Sequence, residues 1–357
     1  MALSILTSDR DGSNPVHLSQ LGTVMDLRWT HGVPRGCLTA SWTLDIPVGI
    51  TPVGLTPGRK VSIYDGPYRV WRGTLDDPQQ GHPWQLAASG LAALGDRNAA
   101  VGGGGTPITD PNTAIDQAIA RGLPWSRPNT LPTPTITQGA PGSVADLLDE
   151  VQTASGQRWQ VNADGQILMA TDPTVPDYLL VNVTTPGGRT VAENYATTVY
   201  ARFLNSATTP PSASLAIAAT QTAAGGSGPK DTYETIVDIT DRGPITSIVA
   251  QQILSSALTL QGPRAAFTGS IPVQPGSLLT PGGAPVRLTT VRAGQLVRCI
   301  GDEPDPAYGE LNFTTVIDIV IGETDYDAAA DLLTVQPVGF VPRDLASVLE
   351  DTAGKSA

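Results

Sequence analysis

Apolar and polar positions alternate with period two through most of the first hundred residues, which predicts strands rather than helices. In TASWTLDI the residues Ala40, Trp42, Leu44 and Ile46 fall on one face. VSIYDGPYRVWRGTL reads as a hairpin turning at Asp65-Gly66, and WQLAASG as a further strand. The same texture returns in the second half, in ATTVYARFL and TYETIVDIT. It is clearest in LNFTTVIDIVIGETDYD, where Leu311, Phe313, Thr315, Ile317, Ile319 and Ile321 share a face and DLLTVQPVG is the expected partner strand.

The period changes to that of helices between these regions. In DPNTAIDQAIARG, Asp110 is placed to cap, Pro111 occupies the first helical position, Ile115, Ala118 and Ile119 form the stripe, and Gly122 ends it. In SVADLLDEVQTASG, Ser143 and Asp146 form a capping pair, Val144, Leu147, Leu148 and Val151 make the stripe, and Gly156 is the stop. QRWQVNADGQILMAT follows as a hairpin turning at Asp164-Gly165. VGGGGTP is a joint at the start of this stretch, which reads as a small α+β insertion. Farther on, GPITSIVAQQILSSALTL is the longest predicted helix, with Thr246 as its cap, and AATQTAAGGSGPKD before it offers little to bury.

One pattern occurs twice. LTPGRKVSIYDG (55–66) and VRAGQLVRCIGDE (291–303) each run from an apolar residue through Pro or Ala to Gly, then two variable positions, Val and an alternating strand. Gly58 and Gly294 are therefore candidate turn glycines at matching points of a duplicated β unit. Each copy leads to a second strand that ends in acidic residues, VWRGTLDD and VIDIVIGETDYD.

Composition narrows the functions available. At 357 residues the chain exceeds the size of one ordinary core, so two or more domains are expected. Its 38 glycines and 31 prolines are spread along the sequence, as many turns between short strands require. A net charge of −12 excludes a protein that holds nucleic acid on a basic face. Cys37 and Cys299 are expected to be free and packed. The opening MALSILTSDRDG is too short in apolar residues for an export signal, and VIDIVIG is too short to span a bilayer, so no membrane insertion is expected.

The chemical inventory is thin. His17, His31 and His82 are scattered and read as loop or surface residues, without the clustering a zinc site needs. No GxSxG occurs. GGSGPKD resembles a phosphate loop only superficially, because Pro229 separates Gly from Lys230 and no Ser or Thr follows. Asp302, Glu303, Asp305 and Glu310 follow no EF-hand pattern and read as a solvated acidic loop. Trp42, Trp71, Trp84 and Trp159 sit within strand patterns and are expected in the core rather than on a sugar platform. No catalytic residue, cofactor or metal is assigned, and a structural part is expected rather than an enzyme.

The order of these features resembles the central hub proteins of phage tails, the tail-tip or baseplate hubs often described as minor tail proteins. The carrying stretches are WTLDI, LTPGRKVSIYDG with VWRGTL, DLLDEVQTASGQRWQVNADGQILM, ETIVDITDRGPITSIVAQQIL, VRAGQLVRCI and VIDIVIGETDYDAAADLLTVQPVGFVPRDLASVLE. The resemblance implies a mainly β fold of two related tail-tube-like β-barrels, quasi-sixfold when three copies assemble. It implies a first barrel from residues 1–98 with 191–224, a peripheral α+β insertion at 99–190, a second barrel at 225–342, and a C-terminal helix and tail at 343–357. The implied partners are two further copies of the chain, the distal tail ring, the tape-measure protein and a downstream tip or fibre protein. Cell-wall degradation or receptor binding would fall to such a partner, since the sequence ends at Ala357. The implied location is the virion, after synthesis in the cytoplasm of a bacterial host.

Between Gly301 and Asp327 lie eight carboxylates and no Lys or Arg: Asp302, Glu303, Asp305, Glu310, Asp318, Glu323, Asp325 and Asp327. Asp302, Glu303, Asp305 and Glu310 are candidates to face a channel through which DNA passes without specific binding, because an acidic wall repels phosphate where a basic one would hold it. The competing readings are a hexameric distal tail protein with one barrel, and a carbohydrate-active or glycan-binding β protein.

Overall fold

The computed structural model describes residues 3–135, 142–181, 189–190, 198–217, 234–261, 266–267, 270–300 and 316–338. The opening strands are β1 (Leu3–Ser8), β2 (Val16–His17), β3 (Thr23–Gly32), β4 (Arg35–Asp45), β5 (Lys60–Asp65), β6 (Tyr68–Leu75) and β7 (Trp84–Gly90). A mixed stretch follows: α1 (Ala93–Asp96), α2 (Pro111–Ala120), α3 (Val144–Ser155), β8 (Arg158–Val161), β9 (Ile167–Ala170) and β10 (Tyr178–Val181). The remainder holds β11 (Arg189–Thr190), β12 (Thr198–Asn205), β13 (Ser212–Ile217), β14 (Glu234–Asp238), β15 (Pro244–Ile245), α4 (Ser247–Gln261) and β16 (Ala266–Phe267). It ends with β17 (Ile271–Val273), β18 (Leu278–Leu279), β19 (Leu296–Ile300), β20 (Val316–Asp327) and β21 (Leu332–Pro337). The molecule is mainly β, as the alternation predicts.

The local sequence explains the helices. Asp110 accepts the backbone N–H groups of Asn112 and Thr113 and opens α2, while Ser143 and Asp146 close a reciprocal capping box on α3. Gly156 takes a left-handed conformation that stops α3. Ile115, Ala118, Val144 and Leu148 from the two stripes form, with Trp125, Trp159, Val161 and Ile167, a core distinct from the main one, and Leu147 and Val151 pack in a smaller cluster with Ala100 and Ala114. This region joins the opening strands where β8 runs parallel to β4, Arg35 beside Gln160 and Gly36 beside Val161. The Arg35 guanidinium fixes the junction by pairing with Asp96 and Asp149.

The strands from the two ends of the chain repeat one arrangement. In the first unit the spatial order is β4-β7-β6-β5, and in the second it is β17-β21-β20-β19, every neighbouring pair antiparallel. In chain order both read one, four, three, two. Gly58 and Gly294 occupy the same point of this plan. Each has a positive φ, 81° and 87°. The Gly58 N–H donates to the Leu75 carbonyl at 2.8 Å, and the Leu75 N–H returns to Arg59 at 2.8 Å. The Gly294 N–H donates to Ile321 at 2.7 Å, and the Ile321 N–H returns to Gln295 at 2.9 Å. One step inward, Lys60 lies opposite Thr74 and Leu296 opposite Val320, so the registers also coincide. Burial follows the same phase, with Leu55, Val61 and Ile63 matched by Val291, Val297 and Cys299.

The two units share one sheet and one apolar cluster, which runs from Ile5, Trp42 and Trp71 to Val297, Ile319 and Val335. Among the described residues the sheet does not close on itself. β10 runs parallel to β19 along its outer edge. The stretch 191–224, expected with the first unit, contributes β12 and β13 to a separate sheet with β14 and β15, and α4 packs on it. Cys37 and Cys299 are both packed in the interior, as expected. The stretch AATQTAAGGSGPKD (218–231) and the expected C-terminal helix lie outside the described residues.

Replacing either glycine by alanine forces an L-residue into the left-handed region, at a cost of roughly 1–2 kcal/mol. A Cβ on Gly58 meets no atom within 4 Å, whereas one on Gly294 comes 3.1 Å from a Val33 methyl. Chemical denaturation is expected to show both variants destabilised, Gly294→Ala more than Gly58→Ala.

Candidate functional site

The two units meet where β3 pairs antiparallel with the far half of β20, from Gly32 opposite Glu323 to Arg28 opposite Asp327. The ladder is continued by the Val33 N–H, which donates to Gly322 at 2.8 Å. On its buried side the rings of Trp29 and Tyr326 lie 4.5 Å apart between centroids. β20 also carries β19 along its first half and β21 along its second. It is therefore the strand through which the copies are joined.

The buried side of this seam is partly polar. His31, expected in a loop or at the surface, is instead 2% exposed on β3. Its Nε2 lies 3.1 Å from the Val70 carbonyl, which can only accept, so the ring is the tautomer with a proton on Nε2. Nδ1 is then free to accept the Thr324 hydroxyl at 3.4 Å. Burial, and secondarily the Arg292 guanidinium, hold His31 well below the usual imidazole range. Asp65, which ends β5 and is 1% exposed, accepts the Thr289 hydroxyl of the second unit at 2.7 Å. Arg292 donates Nη1 to the carbonyls of Thr289 and Val291 at 2.7 and 2.9 Å. From sequence His31 reads as a loop or surface residue and Asp65 only as part of a hairpin turn, so neither points to this seam. The signal for His31 was present, since Leu27, Trp29 and His31 alternate on one face.

The solvent side of the seam has a different chemistry. Ile319 and Ile321 point inward, and an uninterrupted strand would carry Glu323, Asp325 and Asp327 inward after them. A register shift between Ile321 and Glu323 prevents this. The inward positions become Thr324 and Tyr326, and the three carboxylates emerge in a row, about 6.6–6.8 Å apart along the strand. Beside them on β3 stand Arg28 and Thr30, and beyond on β4 stand Thr39, Ser41 and Thr43. Gln85, Ala87 and Ser89 of β7 extend the same face. The surface is one of hydroxyls and carboxylates. Arg28 is bound to Asp327 at 2.5 Å. Desolvation, then the neighbouring Asp325, pushes the Glu323 carboxyl up. Desolvation also pushes Asp325 up, with Arg28 opposing it.

Of the residues proposed from sequence to face a channel, Asp302, Glu303, Asp305 and Glu310 lie outside the described residues. Asp318 does not join the acidic row, because Arg298 on β19 holds it bidentately at 2.7 and 2.8 Å. Trp42, Trp71 and Trp159 are fully buried and Trp84 is partly so. His17 is exposed. Among the described residues no three His, Cys, Asp or Glu side chains could together hold a metal ion. Among the same residues no helix is long and apolar enough to cross a membrane.

Three solved structures of tail proteins share this fold. The chain superposes on the 43 kDa tail protein of prophage MuSo2 from Shewanella oneidensis with a TM-score of 0.58 at 13% identity, covering 96% of this chain and 99% of that one. A prophage tail protein from Listeria monocytogenes gives 0.57 at 12% identity, over 97% and 99%. A tail protein from Neisseria meningitidis gives 0.55 at 13%, over 96% and 98%. No protein-family model matches the chain, and no curated protein sequence does. At these identities the likeness is one of fold, and it extends over nearly the whole length. The resemblance read from the sequence is thereby borne out at the level of fold.

Two outcomes follow from the electrostatics of the seam. A base whose folded pKa is depressed stabilises the fold above its unfolded value, about 6.5, and loses that contribution as pH falls. The stability of the native chain is therefore expected to fall more steeply from about pH 6.5 to 5 than that of His31→Gln, measured by urea denaturation at each pH. Glu323 has the opposite sign, since a raised carboxyl pKa penalises folding above it. Glu323→Gln is expected to gain up to about 0.5 kcal/mol at pH 7, a gain that shrinks as the native carboxyl protonates.

Proposed function

We propose that this chain is a structural protein of a phage tail, the central hub that joins the tail tube and distal ring to the tip. The observation that carries this reading is the repeated four-stranded unit, built into a fold that solved prophage tail proteins share over nearly their full length. A chain with two equivalent units offers six such units when three copies assemble. That is what a threefold part needs beneath a sixfold ring. The units are drawn from the strands before residue 98 and from those after residue 270, and the helical stretch of 99–190 lies at the periphery.

The acidic face of β20 supports a second part of the reading. Glu323, Asp325 and Asp327, together with Asp302, Glu303, Asp305 and Glu310, would line the channel through which DNA leaves. A carboxylate wall repels phosphate over about a Debye length, roughly 8 Å at physiological salt. The hydroxyls of Thr30, Thr39, Ser41 and Thr43 present no cation for phosphate to bind. The partners in this reading are the distal tail ring, the tape-measure protein and a downstream tip or fibre protein. The virion is the place where the protein acts.

Native mass spectrometry of the purified chain, alone and mixed with the distal tail protein of the same particle, tests the stoichiometry. Three copies are expected; six would favour the distal-ring reading and overturn the hub.

A further inference from the structure

The turn Thr240–Arg242 carries an arginine into the interior, where its side chain is 3% exposed. Its Nη1 stands 4.0 Å from Glu150 Oε2, a loose ion pair. Its Nε and Nη2 are buried and have no hydrogen-bond partner among the described residues. These two N–H groups are the parallel pair that an arginine offers to the two oxygens of one carboxylate. The same edge is satisfied elsewhere in this chain. Arg158 closes it on Asp172 at 2.7 and 3.3 Å, and Arg298 closes it on Asp318 at 2.7 and 2.8 Å. Arg127 closes it on Asp116 at 3.0 and 2.6 Å. Arg242 has the fork without the carboxylate.

It also has a pocket. A small half-open cleft lies between α3 and α4, lined by Arg242 and Glu150 with Thr135, Thr153, Gln252 and Ile253 among others. Burial pushes the Glu150 carboxyl up, with Arg242 pulling it back. One arginine beside one glutamate is a weak match for a doubly charged phosphate. A single carboxylate completes the fork and leaves Glu150 on the opposite nitrogen.

We propose that the pocket between α3 and α4 is a carboxylate-binding site, in which Arg242 Nε–H and Nη2–H receive the two oxygens of an Asp or Glu side chain from an adjoining polypeptide. It is separate from the acidic face of β20 and does not depend on the hub reading. Acetate is the simplest probe of it. Titrating acetate into the full-length chain at constant ionic strength, while following the Arg242 Nε–H resonance by NMR, is expected to give a saturable shift. For so small a ligand the dissociation constant is expected at about 1–50 mM. Arg242→Lys keeps the charge, removes the fork, and is expected to lose the saturable response. Glu150→Gln removes the competing negative charge and is expected to tighten acetate at least threefold in a chain whose Arg242 is intact, so the conclusion does not hang on how the Arg242 variant folds. Inorganic phosphate is expected to bind more weakly than acetate. The proposal is overturned by a native chain that shows no saturable shift up to about 500 mM acetate, roughly ten times the top of that range. A Glu150→Gln affinity equal to the native one, or phosphate binding tighter than acetate, overturns it as well.

Discussion

The backbone ladder between β3 and the far half of β20 joins residues about 300 positions apart in sequence, Arg28 to Asp327 and Gly32 to Glu323. β3 is bonded on its other side to β4, so the ladder makes the strands of both repeated units one sheet. Side chains on the buried side reinforce it through the Trp29–Tyr326 contact and the His31–Val70 and Asp65–Thr289 hydrogen bonds. Buried polar groups contribute only when they are paired, and unpaired ones are costly. His31 and Asp65 are paired, and each pairing also requires the elements around the seam to keep their register. Specificity of docking, rather than raw stability, is what such groups supply here.

The register shift beside Gly322 converts this joint into a surface. Without it, three carboxylates would follow Ile321 into the apolar cluster, an arrangement no fold tolerates. With it, they form a row in which burial, and less strongly the next carboxylate along, pushes the Glu323 and Asp325 carboxyls up. Placing like charges along a strand opposes folding, so the row is better understood through what it presents to solvent than through what it holds together. In the hub reading that role is to keep a passing polyanion from sticking.

Much of the fold could be read from local patterns. The alternation in Thr39–Ile46, the caps at Asp110 and Ser143, and the matched stretches around Gly58 and Gly294 all depend on residues close in sequence. Turn chemistry and burial phase act over that range. Within the described part of LNFTTVIDIVIGETDYD, Ile319 and Ile321 take the expected inward face, but the alternation does not continue past Ile321, because a register shift leaves no composition signature beyond a glycine in a strand. The buried position of His31 is legible in the alternation of Leu27, Trp29 and His31, a signal missed when the three histidines are weighed only as a possible metal cluster. Placement of 191–224 was not legible, because which sheet a strand joins is decided by partners far away in sequence. The same holds for the Arg298–Asp318 pair, which removes Asp318 from the acidic row, and for the bare fork of Arg242.

If the two units form one body through β3 and β20, the amides of that ladder should open only with the whole sheet. Native-state hydrogen exchange resolved at Trp29, His31, Val33 and Tyr326 measures this directly. The account predicts protection equal to that of the β4–β7 ladder inside the first unit. Exchange at the seam that is faster than in either unit's own ladders, with both units still protected, would show two bodies merely in contact and would contradict it.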